Sequence, residues 1–240
     1  GLWVRLSIEE SPVFQEARAD LEQQQVAEAH LPILEVLRRY PREVLIAMGM
    51  RLAENISYYI FTVISITFIV DFGDGDKGPI LQALLIGAAV QFTVIPLIGA
   101  WSDRVGRRPL YLVGAIGVGV WSFVFFGLVD SGREGLVVLA VVVGLVFHSL
   151  MYAPQAAFFS ELFGTSVRYT GASVGYQLAS ILAGALAPII AVKLLADPAD
   201  PNTTAVAIYV AVASVPTVVA VLCAQETVNT SLRHDRVTGR

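Results

Sequence analysis

Apolar residues fall into six long runs along this chain, and short polar stretches separate each run from the next. Each run holds about 20 predominantly apolar residues, the length that an α-helix needs to cross the hydrocarbon core of a bilayer. The pattern therefore predicts an all-α membrane protein with six spans, near residues 44–70, 79–101, 109–129, 135–158, 171–195 and 204–223.

The composition supports the same class of protein. Hydrophobic residues make up 55% of the chain and charged residues 15%, whereas soluble domains are about one quarter charged. The single cysteine, Cys223, lies in an apolar run, which excludes a disulfide framework and a cysteine-based metal site. The sequence shows no metal-ligand cluster, no phosphate-binding loop and no Ser/His/Asp set outside the apolar runs. We therefore expect no enzyme, no metal and no cofactor.

One long polar segment, residues 7–43, precedes the first run. Ser11 followed by Pro12 is typical of a helix start, with an N-cap serine and a proline at the first helical position. Further along, apolar positions form a stripe between charged residues: Leu31, Leu34, Val36, Leu37 and Tyr40. This pattern favours a helix that lies at the membrane interface, and a soluble helix that binds a partner is the alternative.

Basic residues are distributed unevenly between the two ends of the predicted spans. If the loop after the second span is placed inside the cell, twelve of the 16 basic residues lie inside and three outside, and Arg51 lies within a span. The positive-inside rule predicts this asymmetry for a multi-pass protein of the plasma (inner) membrane, with both chain ends on the cytoplasmic side. The inner residues are Arg5, Arg18, Arg38, Arg39, Arg42, Arg104, Arg107, Arg108, Arg168, Arg233, Arg236 and Arg240, and the outer ones are Lys77, Arg133 and Lys193.

A cluster of charges is confined between the second and third runs. The stretch reads Gly99-Ala100-Trp101-Ser102-Asp103-Arg104-Val105-Gly106-Arg107-Arg108-Pro109. Its ions must lie at a membrane face, because an ion in lipid costs at least about 2.5 kcal/mol. The glycines allow close packing and a sharp turn. This G-x-x-x-D-R-x-G-R-R pattern between two transmembrane helices resembles the loop signature of the major facilitator superfamily.

A second stretch resembles one family within that superfamily. It reads Ser160-Glu161-Leu162-Phe163-Gly164-Thr165-Ser166-Val167-Arg168-Tyr169-Thr170-Gly171-Ala172-Ser173. This pattern is similar to that of the metabolite:proton symporters, which carry shikimate, α-ketoglutarate, citrate, proline or betaine together with protons. The family pattern usually has proline at Gly164 and arginine at Ser166, and the second departure weakens the basic face of this loop.

The resemblance implies the carboxyl-terminal half of a twelve-helix major facilitator fold. Residues 1–6 would then end the sixth helix, and 7–43 would form the central cytoplasmic loop with its amphipathic helix. Residues 44–223 would form the six-helix transmembrane domain, followed by a cytoplasmic tail at 224–240.

The charges of the inner loops suggest a cytoplasmic gate. A carboxylate near the positive end of a helix dipole gains about 0.3–1 kcal/mol, and a shielded Arg–carboxylate pair gains more. We expect Asp103 to face the amino end of the helix that contains Gly171, and Glu161 to meet Arg104 or Arg107. These contacts would break when the carrier opens inward. The alternative is that the charges determine topology alone. The predicted gate comprises Gly99, Asp103, Arg104, Gly106, Arg107, Arg108, Glu161 and Arg168.

Polar residues within the predicted spans are the candidates for substrate and proton handling. Arg51 and Glu54 share one helical face and can pair near the bilayer midplane, where ionisable groups usually line a cavity. Glu54 is predicted to take up a proton, with Arg51 holding its charge or meeting an anionic substrate; a structural ion pair is the alternative. His148 suits a proton relay, with a packing role as the alternative. The predicted pathway comprises Arg51, Glu54, Asn55, Tyr58, Gln91, His148, Tyr152, Gln155, Tyr176 and Gln177.

Together these patterns predict a secondary active transporter that works by alternating access and couples symport of a small metabolite, such as an organic acid or a zwitterion, to protons. The alternatives are a proton-driven exporter or an uncoupled facilitator of the same superfamily and, more remotely, a non-transporting membrane sensor. The expected partners are a small-molecule substrate, protons, the lipid bilayer and the amino-terminal six-helix half of the carrier. No nucleic acid is expected.

Overall fold

In the part of the chain that the structure describes, six helices are long and apolar enough to cross a membrane, which confirms the six predicted spans. The computed structural model describes residues 32–72, 76–163, 167–197 and 200–228. A short helix, α1 (Pro32–Arg39), precedes the spans. The spanning helices are α2 (Pro41–Asp71), α3 (Gly78–Val105), α4 (Arg107–Val129), α5 (Glu134–Glu161), α6 (Arg168–Leu195) and α7 (Thr203–Cys223).

Several sequence predictions fall outside the described residues. These are the helix start at Ser11, the end of a helix at 1–6, most of the loop at 7–43, the departures at Gly164 and Ser166, and most of the tail at 224–240.

Local sequence explains where the helices begin and end. Pro41 and Pro79 stand in the first turns of α2 and α3, where a missing backbone N–H costs nothing. Gly106 has a φ of +109°, so it ends α3 and lets α4 begin at the next residue. The Asn202 side chain accepts a hydrogen bond from the Ala205 backbone N–H at 2.9 Å and caps α7. The short strands β1 (Ala196–Asp197) and β2 (Asp200–Pro201) pair antiparallel between α6 and α7.

Two spans contain a π-helical segment. Residues Ile60–Ile64 form one within α2, and Ser180–Gly184 form another within α6. A π segment inserts a residue into the helical turn and is frequent at functional sites. Both segments lie next to the polar residues that form the candidate site.

The helices pack as a bundle with a continuous apolar core. Helix α5 packs against α3 and α4, whereas α2 packs against α6 and α7, and α7 also contacts α4. At Gly114 of α4 a Cβ would lie 2.8 Å from the Phe147 carbonyl oxygen, so only glycine permits this close approach to α5. The α3 helix is the most exposed span, with 17% of its apolar stretch buried against 56% for α2.

The arginine-rich termini of the helices share one end of the bundle. Arg42, near the start of α2, donates to the Cys223 carbonyl oxygen at the end of α7 at 3.3 Å. Arg108, near the start of α4, donates to the Leu222 carbonyl oxygen at 3.0 Å. The end of α5 lies at the same place, because Glu161 pairs with Arg107. These helix ends therefore lie on the same side of the bundle, as the placement of their basic residues on one side of the membrane predicts.

Candidate functional site

Arg51 lies buried near the middle of α2 and is held on several sides. Its Nη1 pairs with Glu54 and donates to Gln155 Oε1 at 2.8 Å. Its Nε donates to Ser180 Oγ at 3.3 Å, and its guanidinium carbon lies 3.5 Å from the centre of the Tyr176 ring. The predicted pairing of Arg51 with Glu54 is confirmed. The guanidinium group also donates hydrogen bonds to two uncharged side chains and makes a cation–π contact with a tyrosine ring.

Glu54 is surrounded by hydrogen-bond donors. The side chains of Arg51 and Glu54 are only 8% and 4% exposed. The second carboxylate oxygen, Oε1, lies 3.0 Å from His148 Nε2, and Gln155 Nε2 lies 3.4 Å from Oε2. Every polar contact of the Glu54 carboxyl group among the described residues is thus with a donor, as an ionised carboxylate requires.

The tautomer of His148 follows from its neighbours. Gln91 Nε2 lies 3.3 Å from the Leu145 carbonyl oxygen, which only accepts, so this end of the Gln91 amide is the donor. The same nitrogen lies 3.1 Å from His148 Nδ1. His148 Nδ1 therefore accepts, and the ring proton on Nε2 points to Glu54.

Tyr111 of α4 is connected to the Arg51–Glu54 pair through the Gln155 side chain. Gln155 Nε2 donates to the Tyr111 hydroxyl oxygen at 2.9 Å, and the Tyr111 hydroxyl donates to the Met50 carbonyl oxygen at 3.0 Å. The Gln155 amide is fixed in turn, with its oxygen on Arg51. The sequence analysis missed Tyr111, because this residue lies at the edge of its predicted span, three residues after Arg108.

The ion pair opens onto a cavity of about 450 Å³, a size that suits a small metabolite. The Tyr152 ring stacks on His148 with ring centres 5.5 Å apart, and the Tyr58 ring lies 5.1 Å from His148. The cavity is lined by Arg51, Glu54, Asn55, Tyr58, Tyr59, Gln91, Ile95, His148, Tyr152 and Tyr176.

The fold brings most of the predicted pathway residues together. Eight of the ten line the cavity, and Gln155 lies directly behind it against Arg51 and Glu54. Gln177 is exposed and is absent from the cavity wall. Tyr59 also lines the cavity, although the predicted pathway included only its neighbour Tyr58. Ile95 lines it as well, and the sequence analysis did not select it because an isoleucine does not stand out within an apolar span.

A second cluster of charges joins helix ends at the arginine-rich end of the bundle. Arg107 donates to Glu161 from Nε and from Nη2, both at 2.8 Å, which makes the pair bidentate. Its Nη1 lies 3.0 Å from Asp103 Oδ1 and 3.0 Å from Ser102 Oγ. Glu161 also accepts a hydrogen bond from the Thr227 hydroxyl. The expected Glu161–Arg107 pair is therefore present.

Glu226 caps the amino end of α4. Its carboxylate accepts from the backbone N–H groups of Arg107 at 3.0 Å and Arg108 at 3.1 Å. Burial raises the pKa of Glu226, but the hydrogen bonds from four backbone N–H groups outweigh this effect and hold the pKa below 4.5. The sequence analysis did not select Glu226, because it lies in the polar tail far along the chain from residue 107.

The remaining predicted gate residues take different positions. Asp103 pairs with Arg107, whereas the sequence analysis placed it against the amino end of the helix that contains Gly171. A Cβ at Gly99 would meet no atom of the described chain within 4 Å, so Gly99 permits no close contact here. Arg104 is exposed, and Arg168 is the first residue of α6. Within the described ranges, no group of three or more His, Cys, Asp or Glu side chains could hold a metal ion.

Comparison with known proteins places these features in a family. The family model for "Sugar (and other) transporter" matches residues 4–236, which is nearly the whole chain. The chain belongs to this transporter family. It is accordingly a member of the major facilitator superfamily, as the two sequence motifs predicted, and its six helices correspond to half of that fold.

The relatives of this family member are named as transporters of small molecules. The shikimate transporter of Escherichia coli K12 is 31% identical over 87% of this chain and 47% of its own length. The inner membrane metabolite transport protein YhjE of the same strain is 32% identical over 97% of this chain and 52% of its own. The proline/betaine transporter of that strain is 26% identical, with 97% and 47% covered. The chain spans about half the length of these curated relatives, and no solved structure matches it significantly.

Proposed function

We propose that this chain is the carboxyl-terminal half of a proton-coupled symporter for a small metabolite, which works by alternating access. The cavity beside the Arg51–Glu54 pair supports this proposal most directly. Glu54 lies 13 residues from the start of α2 and 17 from its end, so the site is near the middle of the span. Ionisable groups at this depth are costly, and they mark ion and substrate pathways in membrane proteins.

Glu54 is the proton acceptor of this mechanism. A proton on its carboxyl group needs an acceptor, yet Arg51, His148 and Gln155 all present donors to Glu54. Protonation therefore breaks at least one of these contacts and releases Arg51 from its counter-ion. The protonated and ionised forms of Glu54 thus favour different arrangements of the site, which is the requirement for coupling a proton to a conformational change.

The Arg107–Glu161 cluster acts as the cytoplasmic gate. It joins the ends of α4 and α5 to the segment after α7, and its contacts hold when this end of the bundle is closed. The arginine-rich end faces the cytoplasm of a cell whose plasma membrane holds the protein, in accordance with the positive-inside rule. The amino-terminal six-helix half supplies the opposite wall of the cavity.

The experiment is transport by the full-length protein in proteoliposomes with the substitution Glu54→Gln. We expect this variant to lose uptake against a gradient driven by an imposed pH difference and to keep exchange of labelled for unlabelled substrate. Glu134→Gln is the matched control, because Glu134 is exposed at the far end of α5. Unchanged uphill accumulation by the Glu54→Gln variant would exclude Glu54 from coupling. Equal uptake with and without the pH difference in the unaltered protein would instead indicate a facilitator.

A further inference from the structure

Gln91 of α3 contacts α5 through its amide nitrogen, which has three acceptors around it. Gln91 Nε2 lies 3.1 Å from Ser149 Oγ, 3.1 Å from His148 Nδ1 and 3.3 Å from the Leu145 carbonyl oxygen. The Ser149 hydroxyl donates its own proton to that carbonyl oxygen at 2.7 Å, so the Ser149 oxygen accepts from Gln91. The Leu145 oxygen is thus already bonded, and the second N–H of the amide goes to the nearer acceptor, His148 Nδ1.

The two nitrogens of the His148 ring face different helices. The ring stacks on Tyr152 and contacts Tyr58, which hold its plane, so that Nδ1 faces Gln91 on α3 and Nε2 lies 3.0 Å from Glu54 on α2. A ring nitrogen that accepts a hydrogen bond carries no proton. The bond from Gln91 to Nδ1 therefore requires the ring proton to be on Nε2, where it points to Glu54.

Close packing of α3 on α5 places the Gln91 amide. Gly87 lies one helical turn before Gln91, and a Cβ there would lie 2.6 Å from Leu145 Cδ1 and 3.1 Å from Val141 Cγ1. Glycine thus lets the backbone of α3 approach α5 at this level. Among the described residues of α3, Gln91 and Ile95 line the cavity, so Gln91 is the polar side chain that this helix contributes to the wall.

The position of the ring proton matters to Glu54. With the proton on Nε2, His148 donates to the Glu54 carboxylate, and this contact favours the ionised form. With the proton on Nδ1, the bare Nε2 would face a carboxylate oxygen, and two acceptors would meet. That contact becomes favourable only when Glu54 carries a proton and donates it to Nε2. The side of the ring that Gln91 occupies therefore decides which protonation state of Glu54 this contact favours.

The other titratable groups around Glu54 and His148 are held without Gln91. Arg51 contacts groups on α2, α5 and α6, and none of its printed contacts is with α3. A change at Gln91 therefore leaves these groups in place and acts on Glu54 through His148. They are Arg51, Tyr58 and Tyr59 of α2, Tyr111 of α4, Tyr152 of α5 and Tyr176 of α6.

We propose that Gln91 is a positioning residue for proton coupling: its amide N–H keeps the ring proton of His148 on Nε2 and directed to Glu54. This inference rests on the proposed function, because it gives Gln91 an influence on the carboxyl group that takes up the proton. Gln91 stands on a different helix from Glu54 and His148. A displacement of α3 along α5 would thus withdraw the donor from Nδ1 and favour proton uptake by Glu54.

The first experiment locates the ring proton by nitrogen NMR of the full-length protein in lipid bilayers. Isotope-labelled histidine gives separate signals for a protonated and a bare ring nitrogen, and the signals of His148 are those that disappear in His148→Gln. At a pH where Glu54 is ionised, we expect a protonated Nε2 and a bare Nδ1 in the unaltered protein. A proton on Nδ1 under these conditions would overturn the inference without any variant of Gln91.

The second experiment removes the donor with Gln91→Met, which keeps a flexible side chain of similar size. Infrared spectroscopy follows the protonated carboxyl group of Glu54 as the pH is varied, and the band is identified by its absence in Glu54→Gln. We expect the midpoint of this titration to move to higher pH by about one unit, a tenfold change in proton binding, because a hydrogen bond to the ionised carboxylate is weakened. His148 Nδ1 should become protonated in the same variant.

Two controls separate positioning of the ring from packing of the helices. Ser149→Ala removes another acceptor of Gln91 and leaves the bond to His148 Nδ1 in place. Gln82→Met makes the same chemical change at an exposed position of α3. Both variants should keep the midpoint and the ring proton of the unaltered protein.

Two results of the second experiment overturn the inference and leave Glu54 as the proton acceptor. One is an unchanged midpoint in Gln91→Met, and the other is an equal shift in Ser149→Ala, since either result would mean that Gln91 only ties α3 to α5. If the band of Glu54 does not titrate in the unaltered protein, the proposed role of Glu54 is wrong, and this inference with it.

Discussion

The Glu161→Gln substitution tests the cytoplasmic gate, because it removes one charge from the most shielded ion pair at that end of the bundle. The side chains of Arg107 and Glu161 are 10% and 16% exposed, and two hydrogen bonds of 2.8 Å join them. Breaking a buried pair costs about 3–5 kcal/mol, whereas an exposed pair contributes about 0–1 kcal/mol. Glutamine keeps one acceptor for Arg107, so we expect the closed end to lose about 2 kcal/mol, close to a 30-fold shift in the equilibrium.

Hydrogen–deuterium exchange of the full-length protein in lipid nanodiscs measures this shift. The backbone N–H groups of Arg107 and Arg108 are bonded to Glu226, so their exchange reports opening of the cluster. We expect exchange in a peptide spanning 104–110 to accelerate about 30-fold in Glu161→Gln if the gate must open before these groups exchange.

Two controls separate the gate from a general effect of charge. Glu134→Gln makes the same change at the exposed first residue of α5 and should leave the 104–110 peptide unaltered. Asp103→Asn should have a smaller effect, at most about fivefold, because the Asp103 side chain is 64% exposed. If Glu161→Gln exchanges no faster than Glu134→Gln, the ion pair does not hold this end closed and the gate proposal is wrong.

Two further predictions concern packing and pH. Gly114→Ala should destabilise the protein by about 1–3 kcal/mol, because its Cβ would lie 2.8 Å from a backbone oxygen; thermal aggregation monitored by fluorescence size exclusion checks this. Gly127→Ala, where a Cβ meets no atom of the described chain within 4 Å, is the control and should be neutral. Glu226→Gln should increase exchange at residues 107 and 108 at neutral pH. In the unaltered protein the same contact should persist above pH 4.5 and be lost as the pH falls through the lowered pKa of Glu226, after correction for intrinsic exchange.

The spans and the Arg51–Glu54 pair were predictable because each depends on neighbouring residues. A run of about 20 apolar residues forms its hydrogen bonds within itself, so its length and composition suffice to predict a membrane helix. The pair requires only the helical turn that connects residues three apart.

Contacts between distant residues were harder to predict. Glu54 meets His148 across 94 positions of the chain, and only the packing of α2 against α5 brings them together. Tyr176 and Gln177 are a second example of a property that the sequence does not determine, namely which face of a helix turns to the cavity. They are adjacent in sequence but about 100° apart around the helix, so the face that α6 turns to α2 decides which of them reaches the cavity. The sequence alone does not determine that rotation.

The candidate site and the cytoplasmic gate both include residues of α4 and α5. The way these two helices move therefore determines how a change at the site can reach the gate. Helix α4 carries Tyr111 and Arg107, and α5 carries Gln155 and Glu161, so both polar clusters bridge the same pair of helices. The close approach of these helices at Gly114 leaves no space for them to slide there, so we expect their central parts to move as one unit, while opening of the gate separates only the ends that carry Arg107 and Glu161. A change at Glu54 must then act mainly by moving α2 against this unit. The π-helical segment of α2 begins six residues after Glu54, where a local change in backbone hydrogen bonding would let the two parts of α2 respond differently.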